Sequence, residues 1–92
     1  MQYKYDVAII GGLGHIGLPL GILFADKLKN VLLLDNNLKD KDKVLNGEMP
    51  FIEYGAESLL KKALAKNLIS ITSHIEEIKY SKNIVLLFFC FI

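Results

Sequence analysis

The sequence has little cysteine and almost no net charge, and both features narrow its possible functions. Cys90 is the only cysteine among 92 residues, which excludes an internal disulfide and a thiol cluster for zinc or iron–sulfur. We therefore expect a reducing, cytoplasmic compartment. Eleven Lys and Arg residues against ten Asp and Glu give a net charge of +1. This balance provides no broad positive field for nucleic acid or for an anionic membrane.

Neither end of the chain has the form of a targeting or membrane segment. The apolar run 7–10 is too short for the core of a signal peptide. The last nine residues, 84–92, are uncharged, but a membrane helix needs about 20 apolar residues. We expect the run 84–92 to form a buried strand.

Apolar residues are abundant, at 52% when Ala, Tyr and Cys are counted. This composition argues against disorder and predicts a packed core. A chain of this size forms one small domain, and no internal repeat or linker divides it. We therefore treat residues 1–92 as one unit.

Short strand-like runs alternate with segments of helical periodicity. Strands are predicted at 7–10, 31–34, 69–72 and from Ile84 onward, with helices between them, the third over 56–64. The order is β, α, β, α, α, β, α, β. This alternation predicts an α/β, doubly wound fold, in which a parallel sheet of strand order 3-2-1-4 carries helices on both faces.

The first helix is predicted to begin near Ile16. Pro19 is tolerated because the first turn of a helix makes little use of its backbone donors. Spacing at helical period predicts an apolar face formed by Leu20, Leu23, Phe24 and Leu28.

Capping signals place the ends of the other helices. Asn36 or Asn37 is predicted to cap a short charged helix that stops at Gly47. Ser73 and Glu76 have the form of a capping box for a brief helix before the last strand.

The main chemical signal is the glycine-rich stretch Gly12, Leu13, Gly14, His15, Ile16 and Gly17. It follows a predicted strand and opens a predicted helix, as a dinucleotide-binding GxGxxG turn of a Rossmann domain does. Gly12 would permit the tight turn, Gly14 the close approach of a pyrophosphate, and Gly17 the packing of helix on strand. The exposed amides of residues 12–17, at the positive end of the helix dipole, would hold the diphosphate. The alternative is a turn that only connects strand and helix.

Asp35 ends the second predicted strand, 18 residues after Gly17. A carboxylate at about this spacing accepts hydrogen bonds from the adenosine ribose and repels the extra phosphate of NADP. The predicted cofactor is therefore NAD. Lys39 and Lys41 would soften the repulsion, and in the alternative interpretation Asp35 only starts a turn or caps the next helix.

The remaining polar candidates favour ordinary roles. His15 lies in the phosphate loop, where it is either a partly exposed loop residue or a donor to the pyrophosphate. His74 follows a helix cap with no second ligand near it, so we expect a solvated side chain. Cys90 falls among phenylalanines and is expected to be a buried, inert thiol.

The stretch 7–25, followed by Asp35 and by 47–53, resembles the UDP-glucose/GDP-mannose dehydrogenase family of nucleotide-sugar dehydrogenases. Leu18 and Pro19, directly after the third glycine, are typical of that family. His15 and the Met-Pro-Phe-Ile-Glu segment at 49–53 are most similar to the branch that includes UDP-N-acetylmannosamine dehydrogenases.

The resemblance implies oxidation of the C6 alcohol of a UDP-sugar to a carboxylate, with two hydride transfers to NAD, for cell-envelope polysaccharide synthesis. It also matches Glu53 to the glutamate of the family's Glu-Pro-Gly segment, where Tyr54 replaces the proline. The family's catalytic cysteine and lysine, its sugar-nucleotide-binding domain and its Thr-Pro loop have no counterpart in this sequence. No catalytic residue is therefore assigned, and Cys90 does not match the family's cysteine.

Three interpretations remain open. The chain is the front part of such an enzyme and inactive alone, or a stand-alone NAD-binding module that acts through a partner chain, or a complete small reductase. The third needs a proton donor and a nicotinamide pocket, for which the sequence offers no residues. In the first interpretation the fourth strand would leave an apolar sheet edge, which predicts self-association or low stability. The same edge is the feature that supports the second interpretation.

Overall fold

The structure is a computed structural model that describes residues 2–87, and these form a single parallel sheet with helices against it. The elements in chain order are β1 (Tyr5–Ile10), α1 (Gly17–Asp26), β2 (Val31–Leu34), α2 (Lys41–Leu45), α3 (Ala56–Ala65), β3 (Ile69–Thr72), a 3-10 helix (Ile75–Tyr80) and β4 (Ser81–Leu86). All neighbouring strands pair in parallel, in the order β3-β2-β1-β4. The predicted fold class and strand order are confirmed.

The centre of the sheet is formed by β1 and β2. Their register runs from Val7 opposite Val31 to Ile10 opposite Leu34. All four residues of β2 are buried, because β1 and β3 flank it and its two faces are covered. Burial on both faces is the reason that this strand is continuously apolar in sequence.

Helix α1 buries a face that only partly coincides with the predicted one. Its buried positions are Gly17, Leu18, Gly21, Ile22 and Ala25. The prediction was wrong for Leu23, which is 56% exposed, and for Leu28, which is exposed, lies beyond the helix end and has a positive φ of 63°. A Cβ on Gly21 would lie 2.6 Å from Leu33 Cδ2. The helix axis therefore approaches β2 along Gly21, with the buried side chains of Leu18 and Ile22 beside it. Leu20 and Phe24 of the predicted face are partly buried against the core.

The ends of α2 and α3 agree with the sequence only in part. Gly47, with a φ of 83°, follows the C-cap of α2, as predicted, and α3 covers the predicted segment. The asparagine cap was wrong, since α2 begins only after Asp40, which makes no side-chain cap bond. Asn37 Oδ1 accepts instead from Lys39 N, at 3.1 Å. This local turn delays the start of the helix.

The predicted capping box before β4 is absent from the described residues. Ser73 is not the cap of the 3-10 helix; the cap residue is His74, which makes no side-chain cap bond. The Thr72 hydroxyl accepts from His74 N, at 3.1 Å, which forms a local turn before the helix and does not cap its first amides. Strand β4 begins at Ser81, three residues before the predicted start. Its predicted burial was wrong for Ile84 and Leu86, which are exposed because no further described strand pairs with β4. The end of that prediction at 88–92, with the predicted burial of Cys90, lies outside the described residues.

The two faces of the sheet are covered unequally. The large core lies between the sheet and helices α1 and α3, and contains Ile9, Leu33 and Leu60. On the other face a small cluster of Tyr5, Ala8 and Leu32 is covered by Ile78 of the 3-10 helix. No helix within residues 2–87 is long and apolar enough to cross a membrane.

Candidate functional site

The β1–α1 turn lies at the carboxyl end of the sheet and is tied to the end of β2. The amides of Gly11 and Gly12 both donate to the Leu34 carbonyl, at 2.8 and 3.0 Å. Gly14 N then donates to the Gly11 carbonyl at 3.1 Å, which closes the turn. Leu13 is buried and anchors the turn in the core. The loop is therefore held by backbone bonds before any ligand is considered.

Gly11, Gly12 and Gly17 are each required for a different structural reason. Gly11, with a φ of 85°, is the residue that needs a left-handed backbone, so the tight turn predicted for Gly12 belongs to its neighbour. A Cβ on Gly12 would lie 2.7 Å from Leu33 Cβ, so Gly12 permits close packing on β2. A Cβ on Gly17 would overlap the Gly11 carbonyl, as expected for close contact between helix and strand end.

Gly14 is the glycine of the turn that has space for a side chain and no positive φ. The nearest atom to a Cβ there is the Gly11 carbonyl oxygen, at 3.4 Å, which is an ordinary contact. The fold itself would therefore accept a side chain at this position. A requirement for glycine must come from something that approaches the loop from outside.

Three amides at the start of α1 face no protein acceptor. In the described part of the chain, the amides of His15, Ile16 and Gly17 donate no hydrogen bond, whereas Leu18 N donates to the Gly14 carbonyl at 3.1 Å. Ile16 is the N-cap residue and provides no side-chain cap. The side chain of Ile16 is exposed. Unpaired amides and the positive helix end together favour an anion at this point.

Asp35 lies beside the same turn, as predicted. Its Oδ2 accepts from Leu13 N at 3.1 Å and its Oδ1 accepts from Asn37 N at 3.1 Å. The carboxylate thus links the end of β2 to the glycine turn, and the side chain is partly exposed. Since each carboxylate oxygen has a further lone pair, both can also accept from a ligand hydroxyl.

His15 is exposed at the tip of the turn, and its imidazole stacks on the ring of Phe51. The ring centroids are 4.3 Å apart and the planes differ by 20°. Phe51 follows Pro50 in the connection between α2 and α3. The apolar residues of this connection show neither helical nor strand periodicity in the sequence. Phe51 was therefore not predicted as a site residue, because the contact joins residues 36 positions apart.

The same connection borders an open cavity of about 600 Å³, lined by residues that include Lys43, Phe51, Glu53 and Glu57. Glu53 is exposed there, and Tyr54, which replaces the proline of the family segment, is 97% exposed.

His74 is exposed as expected, with its Nδ1 3.7 Å from Glu76 Oε1. The structure brings His15 and Asp35 to the glycine turn and leaves His74 at the surface, where its one described ionic neighbour is Glu76.

A parallel sheet of this order, with a glycine turn between β1 and a helix and an acidic residue after β2, defines a dinucleotide-binding domain of the Rossmann class. The NAD-binding domain of the UDP-glucose/GDP-mannose dehydrogenase family matches residues 5–89. The chain belongs to this family and corresponds to the NAD-binding domain of nucleotide-sugar dehydrogenases. NAD is the cofactor of this domain.

Solved structures of the same family have this fold. A GDP-mannose dehydrogenase from Pseudomonas aeruginosa is 21% identical over 90% of this chain, with a TM-score of 0.82. A UDP-N-acetylmannosamine dehydrogenase from Pyrococcus horikoshii is 30% identical over 88% of the chain, with a TM-score of 0.79. One from Staphylococcus aureus is 31% identical over 73% of the chain, with a TM-score of 0.66.

The chain spans only a small part of these relatives. The matched region covers 19% of the Pseudomonas and Pyrococcus proteins and 16% of the Staphylococcus protein. Comparison with curated protein sequences gives no match.

Proposed function

We propose that residues 1–92 are the N-terminal, NAD-binding part of a nucleotide-sugar 6-dehydrogenase and hold the adenosine diphosphate half of the cofactor. The observation that carries this proposal is the pairing of two features on one turn. Three unpaired amides of residues 15–17 lie at the start of α1, and the Asp35 carboxylate is bonded to Leu13 N of the same turn. A diphosphate and a ribose are adjacent groups of one ligand, and they need these two features side by side.

Each residue of the turn has a role in this proposal. Gly14 provides open space for the diphosphate, and the amides of His15, Ile16 and Gly17 donate to its oxygens. Gly12 and Leu13 hold the turn on the core. Asp35 accepts from the ribose hydroxyls, where the additional phosphate of NADP would meet like charge.

For the longer enzyme we propose oxidation of a UDP-sugar at C6, with UDP-N-acetylmannosamine as the sugar class. Identities of 30% and 31% to two UDP-N-acetylmannosamine dehydrogenases, against 21% to a GDP-mannose dehydrogenase, support this choice. The catalytic and sugar-binding groups would come from outside residues 1–92, so this chain alone would be inactive. A cytoplasmic location fits the single cysteine of the sequence.

Titration calorimetry with NAD and NADP tests the proposed site. We expect NAD to bind at least about fivefold more tightly than NADP, because like charges at the ribose cost about 1 kcal/mol or more. Asp35→Asn should lose most of this preference. Asp42→Asn, which removes the same charge from the exposed side of α2, should keep it. A folded sample that gives no heat with either dinucleotide would contradict the proposal.

A second role is favoured by the sheet edge. Within residues 2–87, β4 pairs with β1 alone, and Ile84 and Leu86 on this strand are 50% and 52% exposed. We propose that this apolar edge associates with a second copy of the chain. The same edge would serve the alternative function, a stand-alone NAD-binding module that acts through a partner chain.

A further inference from the structure

Phe51 comes from a connection that is fixed at both ends, so its ring has a defined position beside the glycine turn. Before it, Gly47 ends α2 with a φ of 83° and Met49 N donates to Glu57 Oε1 of α3 at 3.1 Å. After it, Ala56 N donates to the Glu53 carbonyl at 3.1 Å. Phe51 itself is partly buried against the main core.

His15 has no comparable support of its own. It is exposed between Gly14 and Ile16, and its amide is one of the three without a protein acceptor. Backbone bonds hold its two neighbours, from Leu18 N to the Gly14 carbonyl and from Leu20 N to the Ile16 carbonyl, but no described hydrogen bond holds the His15 side chain. The stack on Phe51, at 4.3 Å between centroids and 20° between planes, is the contact that restricts this ring.

We propose that Phe51 is a positioning residue of the NAD site, which fixes the phosphate-binding turn through the aromatic stack with His15. The stack orders residue 15 before the cofactor arrives, so its amide and those of Ile16 and Gly17 already have the arrangement that the diphosphate needs. Ordering a loop in advance strengthens binding because less freedom is lost on association. The His15 side chain then contributes to NAD binding by stacking the face of its ring on Phe51. Hydrogen bonds from the imidazole N–H groups to the cofactor are not required.

This inference rests on the proposed function and adds a residue that lies outside the glycine motif. A test on the full chain combines calorimetry with NAD and a cycle of the variants Phe51→Leu, His15→Ala and the double variant. Phe51→Leu should weaken NAD binding about three- to tenfold, the range expected for loss of an aromatic stack. His15→Ala should cause a similar loss. The double variant should be no weaker than either single variant, because both remove one interaction.

Conservative variants separate the effect of ring stacking from that of the imidazole N–H groups. Phe51→Tyr and His15→Phe keep two stacked rings, and both should bind NAD within about twofold of the wild-type chain. Because His15 is exposed, its variants give the answer even if Phe51→Leu does not fold. In proton NMR without NAD, the imidazole CH signals of His15 should be shifted upfield by the Phe51 ring in the wild type and in Phe51→Tyr.

The outcomes separate this inference from the function on which it rests. A wild-type chain that binds no NAD overturns the proposed function, and the inference with it. A wild-type chain that binds NAD overturns the inference alone if Phe51→Leu binds equally well, if the two single losses add fully, or if His15→Phe is as weak as His15→Ala. The absence of a ring-current shift at His15 overturns it independently of NAD.

Discussion

The glycines of the β1–α1 turn differ in whether the fold or the ligand requires them. Gly17 is required by the fold, because its Cβ would overlap the Gly11 carbonyl. Gly14 has space for a Cβ and has no positive φ, so only a ligand near the turn would exclude a side chain. Substitutions at Gly17 and Gly14 therefore test the stability of the fold and the affinity for NAD separately.

We expect Gly17→Ala to lower the free energy of unfolding by about 1–3 kcal/mol, because the overlap is with rigid backbone. Gly14→Ala should change it by less than about 1 kcal/mol, while NAD binding weakens roughly tenfold or more. Urea unfolding and calorimetry on the same samples measure both quantities. If Gly14→Ala kept full NAD affinity, the diphosphate would not lie against this residue.

Among individual site residues, the sequence predicted those that belong to a local motif. Gly17 and Asp35 lie beside the turn because motif spacing and strand ends place them there. Gly11 and Phe51 were not predicted. The left-handed backbone at Gly11 depends on the bonds from residues 11 and 12 to Leu34, and the Phe51 stack depends on a connection without periodicity.

Among the elements, α3 was predicted well, whereas α1 was predicted in position and only in part in orientation. The apolar face of α3 contains two large leucines, Leu60 fully buried and Leu64 partly buried, so hydrophobic spacing alone indicates its orientation. The buried face of helix α1 instead combines two large residues, Leu18 and Ile22, with small ones such as Gly21. Small residues allow the helix to lie closest to the sheet, but they add little to the hydrophobic periodicity of a sequence. Periodicity therefore did not predict Gly21 as a buried position.

Strand β4 is the element for which self-association is predicted. Lysine at position 84 would place a charge on the exposed apolar side of the edge strand, where it opposes pairing between chains. We expect sedimentation velocity to show association of the wild-type chain with rising concentration, and Ile84→Lys to weaken it at least about tenfold.

Ile52→Lys is the matched control, because this isoleucine is also exposed but lies in the connection before α3. It should leave the association unchanged. A wild-type chain that stays monomeric at all concentrations, or equal effects of the two lysines, would rule out association through β4.

For the whole molecule, the fold followed from the order of elements and from the handedness of parallel crossovers. Together with the dinucleotide-binding turn after β1, these two features favour the strand order 3-2-1-4, and the structure has it. The same arrangement brings the carboxyl ends of β1 and β2 together, where a doubly wound sheet binds its ligand. The start of α2 was less well predicted, because the local bond from Lys39 N to Asn37 delays it. Strand β4 begins before its apolar run, because the polar residues Ser81 and Asn83 already pair with β1.

The central claim is that NAD binds on the β1–α1 turn and at Asp35. A nitrogen–proton correlation spectrum of the labelled chain, titrated with NAD, tests this claim most directly. We predict that the amide signals of residues 12–17 and of Asp35 shift together and saturate with one affinity. A spectrum that does not change, or changes confined to the cavity near Lys43 and Glu57 while the glycine signals stay fixed, would contradict it.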